Sequence, residues 1–301
     1  MGSIIYMLLF IFAVGLGKGD ADSITITDIH PEIPLYASPA HISPAMRESL
    51  WIVSFDEPII RLMDGAGNSI RSFGGFGTGF CEFSDRVDLV DSHTLFLYAV
   101  DTDNGRILKM NRSGVCVREI RNQLDESSEI WRPFTAAVSK SGRIYIADSD
   151  AGTVHYIDTF DGLRAFIDPW DRGTAIPVQP VSLSCDGDIL YIADGVDGTI
   201  YSFDVLGNCL GRKKSPFDIR SLAVTLNGYC AVVDHRTNDV YLCHWDDETW
   251  VSLHDLVPEI GSFEPSDIGF MHDSNTPGQI RYLVIVDIAQ QRIVKLTVRF
   301  A

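Results

Sequence analysis

Apolar and polar residues in this chain fall into short blocks that recur. The run Ile189–Asp194 (ILYIAD) is rich in β-branched and aromatic residues, and a polar turn separates it from a second apolar run, Thr199–Phe203 (TIYSF). The pattern returns at Leu97–Met110, Ile144–Ile157, Ala231–Cys243 and Leu283–Leu296, and in degenerate form at Trp51–Met63. Runs of this length and composition, bounded by Gly, Asp and Asn turns, are strand signals. Beyond the first twenty-one residues no stretch carries a helical period.

An Asp ends the first run of each full copy: Asp101, Asp148, Asp194, Asp234 and Asp287, at spacings of 40 to 53 residues, with Ser54 in the degenerate copy. A period of this size marks a propeller, a solenoid or an array. The fourth copy reads as four strands, PVSLS, ILYIAD, TIYSFD and CLGRK, and six such copies fit between Ala40 and Ala301. The expected fold is all-β, a six-bladed β-propeller of four-stranded antiparallel blades. The last copy stops after QRIVKLTVRFA and lacks an outer strand. The alternating segment Ser23–Ile29 is expected to supply it and close the ring, removing edges that would otherwise template aggregation.

The segment Ser72–Phe83 (SFGGFGTGFCEF) followed by LYAVDTDNGRILKMNRSG resembles the repeat of the NHL family of six-bladed propellers. That repeat has a Gly-rich approach, an apolar strand ending in Asp, an Asn-x-Arg turn and a closing Gly turn. Asn104, Arg106 and Arg292 match it, whereas Thr153, Thr199 and Asp239 stand at the Arg position in three copies. WD and kelch signatures are absent. Lactonase-type hydrolases and some lyases share the six-bladed architecture, so the resemblance implies a fold and leaves function open.

Residues Ile4–Gly17 form an apolar run of fourteen, short for a bilayer span, followed by the small residues around Ala21. A signal peptide of residues 1–21 is expected, leaving residues 22–301 as one propeller domain that is secreted or periplasmic. The first basic residue, Lys18, follows the apolar run, so a retained anchor is the rival reading. No transmembrane segment is expected in the mature chain. The formal charge of −17 repels nucleic-acid phosphate and suits a soluble monomer.

Of six cysteines, Cys230 and Cys243 fall on paired strands at facing positions if Asp234 opposes Asp239. They form the candidate disulfide; two buried thiols are the alternative, because a bridge between directly opposed strands strains the preferred geometry.

We letter the strands of a blade a to d, from the channel outward. In a propeller the b–c loops and the d-to-a connectors gather at one mouth of the channel, as the resemblance implies. The repeated Asp suits turn-making there. Aligning the a strands places His41, Arg86, Thr135, Pro180, Ser221 and Asp267 at one level, with Ser43, Asp88, Ala137, Ser182, Ala223 and Gly269 two residues further in. The candidate ligand-binding residues are His41, Arg86, Asp88, Arg132, Arg220 and Asp267. The three arginines could hold an anion through bidentate contacts, or could pair with neighbouring acids. Asp88, among small residues, needs a partner or a cation. Asp88, Asp267 and Glu264 are the candidates for a metal such as calcium, although no cofactor is the expectation. The expected function is non-catalytic binding of a ligand or protein through the loop face. The alternative is a metal-dependent hydrolase or lyase.

Overall fold

The computed structural model describes residues 24–300 except 31, 36–38, 46–48, 55–56, 93–94, 122–131, 159, 168–176, 178, 226 and 273–279. The expected leader, residues 1–21, lies outside the described residues, as does Ser23 at the start of the closing segment. The chain opens with β1 (Ile24–Ile29) and β2 (Ile33–Pro34). Blade one is β3 (Pro39–Pro44), β4 (Leu50–Ser54), β5 (Ile59–Met63) and β6 (Ser69–Gly74). Blade two is β7 (Val87–Asp91), β8 (Phe96–Asp101), β9 (Arg106–Asn111) and β10 (Cys116–Ile120). Blade three is β11 (Pro133–Val138), β12 (Ile144–Asp148), β13 (Thr153–Ile157) and β14 (Leu163–Ile167). Blade four is β15 (Pro180–Asp186), β16 (Ile189–Asp194), β17 (Thr199–Phe203) and β18 (Cys209–Lys214). Blade five is β19 (Ile219–Val224), β20 (Tyr229–Asp234), β21 (Asp239–His244) and the short β22 (Val251–Ser252). One helical turn, α1 (Leu253–Leu256), leads towards blade six: β23 (Pro265–His272), β24 (Ile280–Asp287) and β25 (Arg292–Phe300).

Each blade is a meander of antiparallel strands, and the six a strands touch in sequence around a ring: β3, β7, β11, β15, β19, β23 and back to β3. The protein is a six-bladed β-propeller. The b strands are buried on both faces, because each blade is sandwiched between two others; this is why they read as unbroken apolar runs. Apolar clusters fill the seams. Trp51, Phe83, Leu97 and Leu108 join blades one and two, and Val233, Leu242, Leu283 and Leu296 join blades five and six. The seam between blades six and one is filled by Ile33, Ile52, Val284, Val286 and Ile293.

The N-terminal segment closes the ring. β1 pairs antiparallel with β25, from Ile24 opposite Phe300 to Ile29 opposite Leu296, and β2 continues the pairing with Ile33 opposite Ile293. The last blade is thus completed by the first strand, and Ile26 and Ile33 are buried there.

The repeated Asp does more than make a turn. Asp101 accepts the N–H of Ser84 at 2.9 Å, Asp148 that of Arg132 at 3.0 Å, Asp194 that of Gln179 at 3.3 Å, Asp234 that of Asp218 at 3.0 Å and Asp287 that of Glu264 at 3.1 Å. Each buried carboxylate fastens the connector that enters its own blade to the end of strand b. In blade two, Arg106 completes the brace. Buried itself, it donates to Asp101 at 2.9 Å, to Glu119 at 2.8 Å and to the carbonyls of Thr78, Gly79 and Glu82 in the Gly-rich connector. Arg292 holds Asp287 in blade six at 2.8 Å.

The disulfide is not the expected one. Cys81 of the connector is bridged to Cys116 of β10, with Cα atoms 5.7 Å apart, and Cys230 and Cys243 are free. The expected register is nonetheless present, since Cys230 and Cys243 oppose each other across β20 and β21. Both are buried inside the blade, where the thiols lie side by side, and the neighbouring thiol and burial hold the Cys230 thiol well above its usual range. The Cys81–Cys116 bridge instead ties a strandless connector to an outer strand, closing a loop of 35 residues of sequence separation.

Candidate functional site

The a strands enclose a channel of 1010 Å³ lined by residues of all six blades. Pairing with the b strands fixes the level of each lining residue. His41 opposes Val53, Asp88 opposes Val100, Thr135 opposes Ala147, Ser182 opposes Ala193, Ser221 opposes Val233 and Asp267 opposes Val286. These six, one per blade and all polar, form a single ring. The next level down is Ser43, Val90, Ala137, Ser184, Ala223 and Gly269.

This corrects the level assignment expected from sequence. Asp88 and Ser182 belong to the upper ring, Arg86 precedes β7, and Pro180 opposes Asp194. The a strands carry two irregularities. A one-residue bulge opens the a strand of every blade except blade two. The a–b turn of blade four is also cut to Gly187 and Asp188. Asp88 and Ser182 stand two residues from the positions expected at this level, so they keep the side-chain phase and lie one level higher than expected.

The polar ring has a structural task. Strand a is the inner edge of every blade, so its outward N–H groups need acceptors. Ring side chains supply them across the seams. Asp88 accepts from Ala136 at 3.0 Å and from the Thr135 hydroxyl at 2.8 Å, and Asp267 accepts from Ile42 at 2.9 Å and from the Ser221 hydroxyl at 2.7 Å. Ser182 accepts from Leu222 at 3.0 Å and Ser184 from Val224 at 2.9 Å. Ser43 accepts from Asp91 at 3.0 Å. Each Asp also takes the N–H of the next residue in its own strand, Leu89 or Ile268.

Within the upper ring, the charged side chains come from three adjacent blades. His41 of blade one sits between Asp267 of blade six and Asp88 of blade two, with Nδ1 at 3.6 Å and 3.8 Å from their carboxylates. Desolvation opposes a charged imidazole, but the hydrogen bond to Asp267 and the charges of Asp88 and Asp267 outweigh it and raise the His41 pKa to about 9. His41 is therefore an imidazolium at neutral pH. Burial pushes the Asp88 carboxyl above the usual carboxylate range, and His41 pulls it back.

The arginines separate into two groups. Arg132 lies outside the channel, paired with Asp103 at 3.0 Å and Asp150 at 3.4 Å. Arg86 and Arg220 line the channel from the opposed blades two and five, and neither is paired with a carboxylate among the described residues. Arg86 lies over the Phe134 ring, 5.0 Å from its centroid, and Arg220 donates to the Pro265 carbonyl at 3.3 Å. Sequence reasoning places Thr135 and Ser221 at this level and Ser182 one level too far in; it does not find Phe134, since a lone aromatic carries no signal until the register is known.

Glu264 does not line the channel, so it is not beside Asp88 and Asp267. The oxygens of those two residues are engaged by backbone and hydroxyl donors, and the charge between them is His41. Among the described residues no three His, Cys, Asp or Glu side chains converge as a metal ligand set.

No family model matches the chain, and no curated protein matches it. Among solved structures it is similar to a streptogramin B lyase, with a TM-score of 0.61 and 12% identity over 93% of this chain and 98% of the other. It is similar to a catalytically inactive virginiamycin B lyase from Staphylococcus aureus with quinupristin (TM-score 0.57, 12% identity, 92% and 99% coverage). A Bacteroides thetaiotaomicron protein of unknown function has a TM-score of 0.64 at 13% identity, over 93% of this chain and 76% of that one. At such identity these likenesses establish the propeller fold alone.

Proposed function

We propose that the protein is an NHL-like propeller, exported from the cytoplasm, that binds a small anionic ligand at its channel mouth as a monomer and does not transform it. The observation that carries this reading is the pair Arg86 and Arg220. In a chain with 41 acidic and 24 basic residues, these two guanidinium groups line the channel from opposed blades without a carboxylate partner among the described residues. Guanidinium forks suit carboxylate and phosphate groups. The 1010 Å³ of the channel matches the upper end of small-molecule sites. Binding is favoured over base catalysis because His41, held between Asp267 and Asp88, keeps its proton through neutral pH. The two central carboxylates are likewise committed to holding the blades together.

The test is a thermal-shift screen of mono- and dicarboxylates and phosphate monoesters against the wild type and the Arg86→Ala/Arg220→Ala double variant. A ligand present at about one hundred times its Kd adds roughly 2.7 kcal/mol to folding. One chemical class should raise the wild-type melt and leave the double variant unmoved, while the two proteins melt alike without ligand. A panel that stabilises neither protein, or both equally, rejects the reading.

A further inference from the structure

The channel sorts its charges by level. Arg86 and Arg220 stand at the mouth on opposed blades, Arg86 two residues ahead of Asp88 and Arg220 in the bulge between Ile219 and Ser221. Two residues of extended chain set the backbone of Arg86 about 7 Å above that of Asp88. The ring below holds Asp88 and Asp267 with the imidazolium of His41 between them. Two carboxylates and one imidazolium leave the ring one negative charge in excess. The other charged residues of the lining do not offset it. Asp91 is paired with Arg112 at 2.6 Å, and Lys140 follows β11 at the far end of the channel.

The excess is felt at Asp88. Burial, and after it the charge of Asp267, pushes the Asp88 carboxyl above the usual range, against the pull of His41 and of the Ala136 and Thr135 donors. A buried charge without its counterpart is costly, so the ring favours an added cation.

The hydroxyls narrow the kind of cation. Thr135 gives its proton to Asp88 at 2.8 Å, and Ser221 gives its own to Asp267 at 2.7 Å. With those protons committed, both oxygens can only accept from a ligand. Asp88 takes three donors, from Leu89, Thr135 and Ala136, of the roughly four that a carboxylate accommodates. His41 stands 3.8 Å from Asp88, beyond hydrogen-bond reach. Beside Asp88 and Thr135 there is thus a place for a positive N–H donor. The guanidinium groups one step above call for anionic groups on the same ligand.

Resting on the anion reading above, we propose that the ligand is an amino dicarboxylate. Its two carboxylates take Arg86 and Arg220 from opposite sides of the channel, and its ammonium descends to Asp88 and Thr135 in the ring. Such a molecule is opposite in sign to the protein at both levels.

Matched probes isolate the ammonium: L-glutamate and glutarate, like L-aspartate and succinate, differ by the amino group alone. In calorimetric titrations at neutral pH the wild type should bind one of these amino acids about tenfold or more tighter than its deaminated partner. Asp88→Asn should shrink that preference to about threefold or less. Thr135→Val keeps the side chain's shape and should shrink it too, and it decides the matter if Asp88→Asn does not fold. The Arg86→Ala/Arg220→Ala variant should bind neither member of the pair. Equal affinity within both pairs, with binding still lost in the double arginine variant, would overturn the proposal and leave the anion site standing. A preference unchanged in every ring variant that folds would overturn it as well. Failure of all four probes to bind the wild type would overturn both the proposal and the reading it rests on.

Discussion

Alkali should loosen the ring at one seam. His41 has its pKa raised from 6.5 to about 9 by Asp267 and Asp88, against the desolvation that opposes its charge. A group bound more tightly by its proton in the folded state stabilises fully below its unfolded pKa and loses that contribution as pH rises through the folded one. The window therefore runs from about pH 6.5 to about pH 9. A rise of that size corresponds to an upper limit of roughly 3 kcal/mol. The imidazole is 31% exposed to the channel, so screening reduces the net contribution to about 2 kcal/mol. The assay is urea unfolding of the wild type and His41→Gln between pH 6 and pH 10. Packing changes give a constant offset, so the readout is the gap between the curves, which should narrow by about 2 kcal/mol across the window. Below neutrality the gap should also close, because without His41 the buried Asp88 carboxyl takes a proton more readily. Parallel curves from pH 6 to pH 10 would refute the imidazolium bridge.

Further consequences are equally open to measurement. Peptide mapping without reduction should recover Cys81 joined to Cys116 and no Cys230–Cys243 bridge, and Cys81→Ser/Cys116→Ser should cost about 2–4 kcal/mol in unfolding experiments. Arg106→Met leaves Asp101 buried without its cationic partner and should lower stability by about 3–5 kcal/mol. Deleting Ser23–Ile29 bares β25 as an edge, and the truncated protein should melt lower and elute as aggregate in size exclusion; an unchanged, monodisperse profile would remove β1 from its closing role.

The blades were legible because burial on both faces turns each b strand into an apolar run, and the Asp that fastens each connector recurs with it. Closure was legible for a simple reason: β25 lacked a neighbour and Ser23–Ile29 alternated like one. The register of blade five was also readable, since Cys230 and Cys243 do oppose each other. Whether facing thiols join depends on strand geometry that composition does not report. The channel was harder to read. A bulge leaves no residue type of its own and no residue marks where strand a begins, so Asp88 and Ser182 were read one level too far in. The partners of an arginine are equally invisible: Arg132 meets Asp103 and Asp150, from the b–c loops of blades two and three, only once those blades stand side by side. The pairing of His41 with two carboxylates spans blades six, one and two, far apart in sequence.

The central claim is that Arg86 and Arg220, and not the surface arginines, make the binding site. Calorimetric titration of the anion found in the screen into wild type, Arg86→Gln and Arg132→Gln tests it most directly. Arg86→Gln should weaken binding by roughly tenfold or more, the loss of one charge-assisted contact of about 1.5–3 kcal/mol, while Arg132→Gln binds like wild type. Full affinity in Arg86→Gln, or an equal loss in Arg132→Gln, would contradict the account.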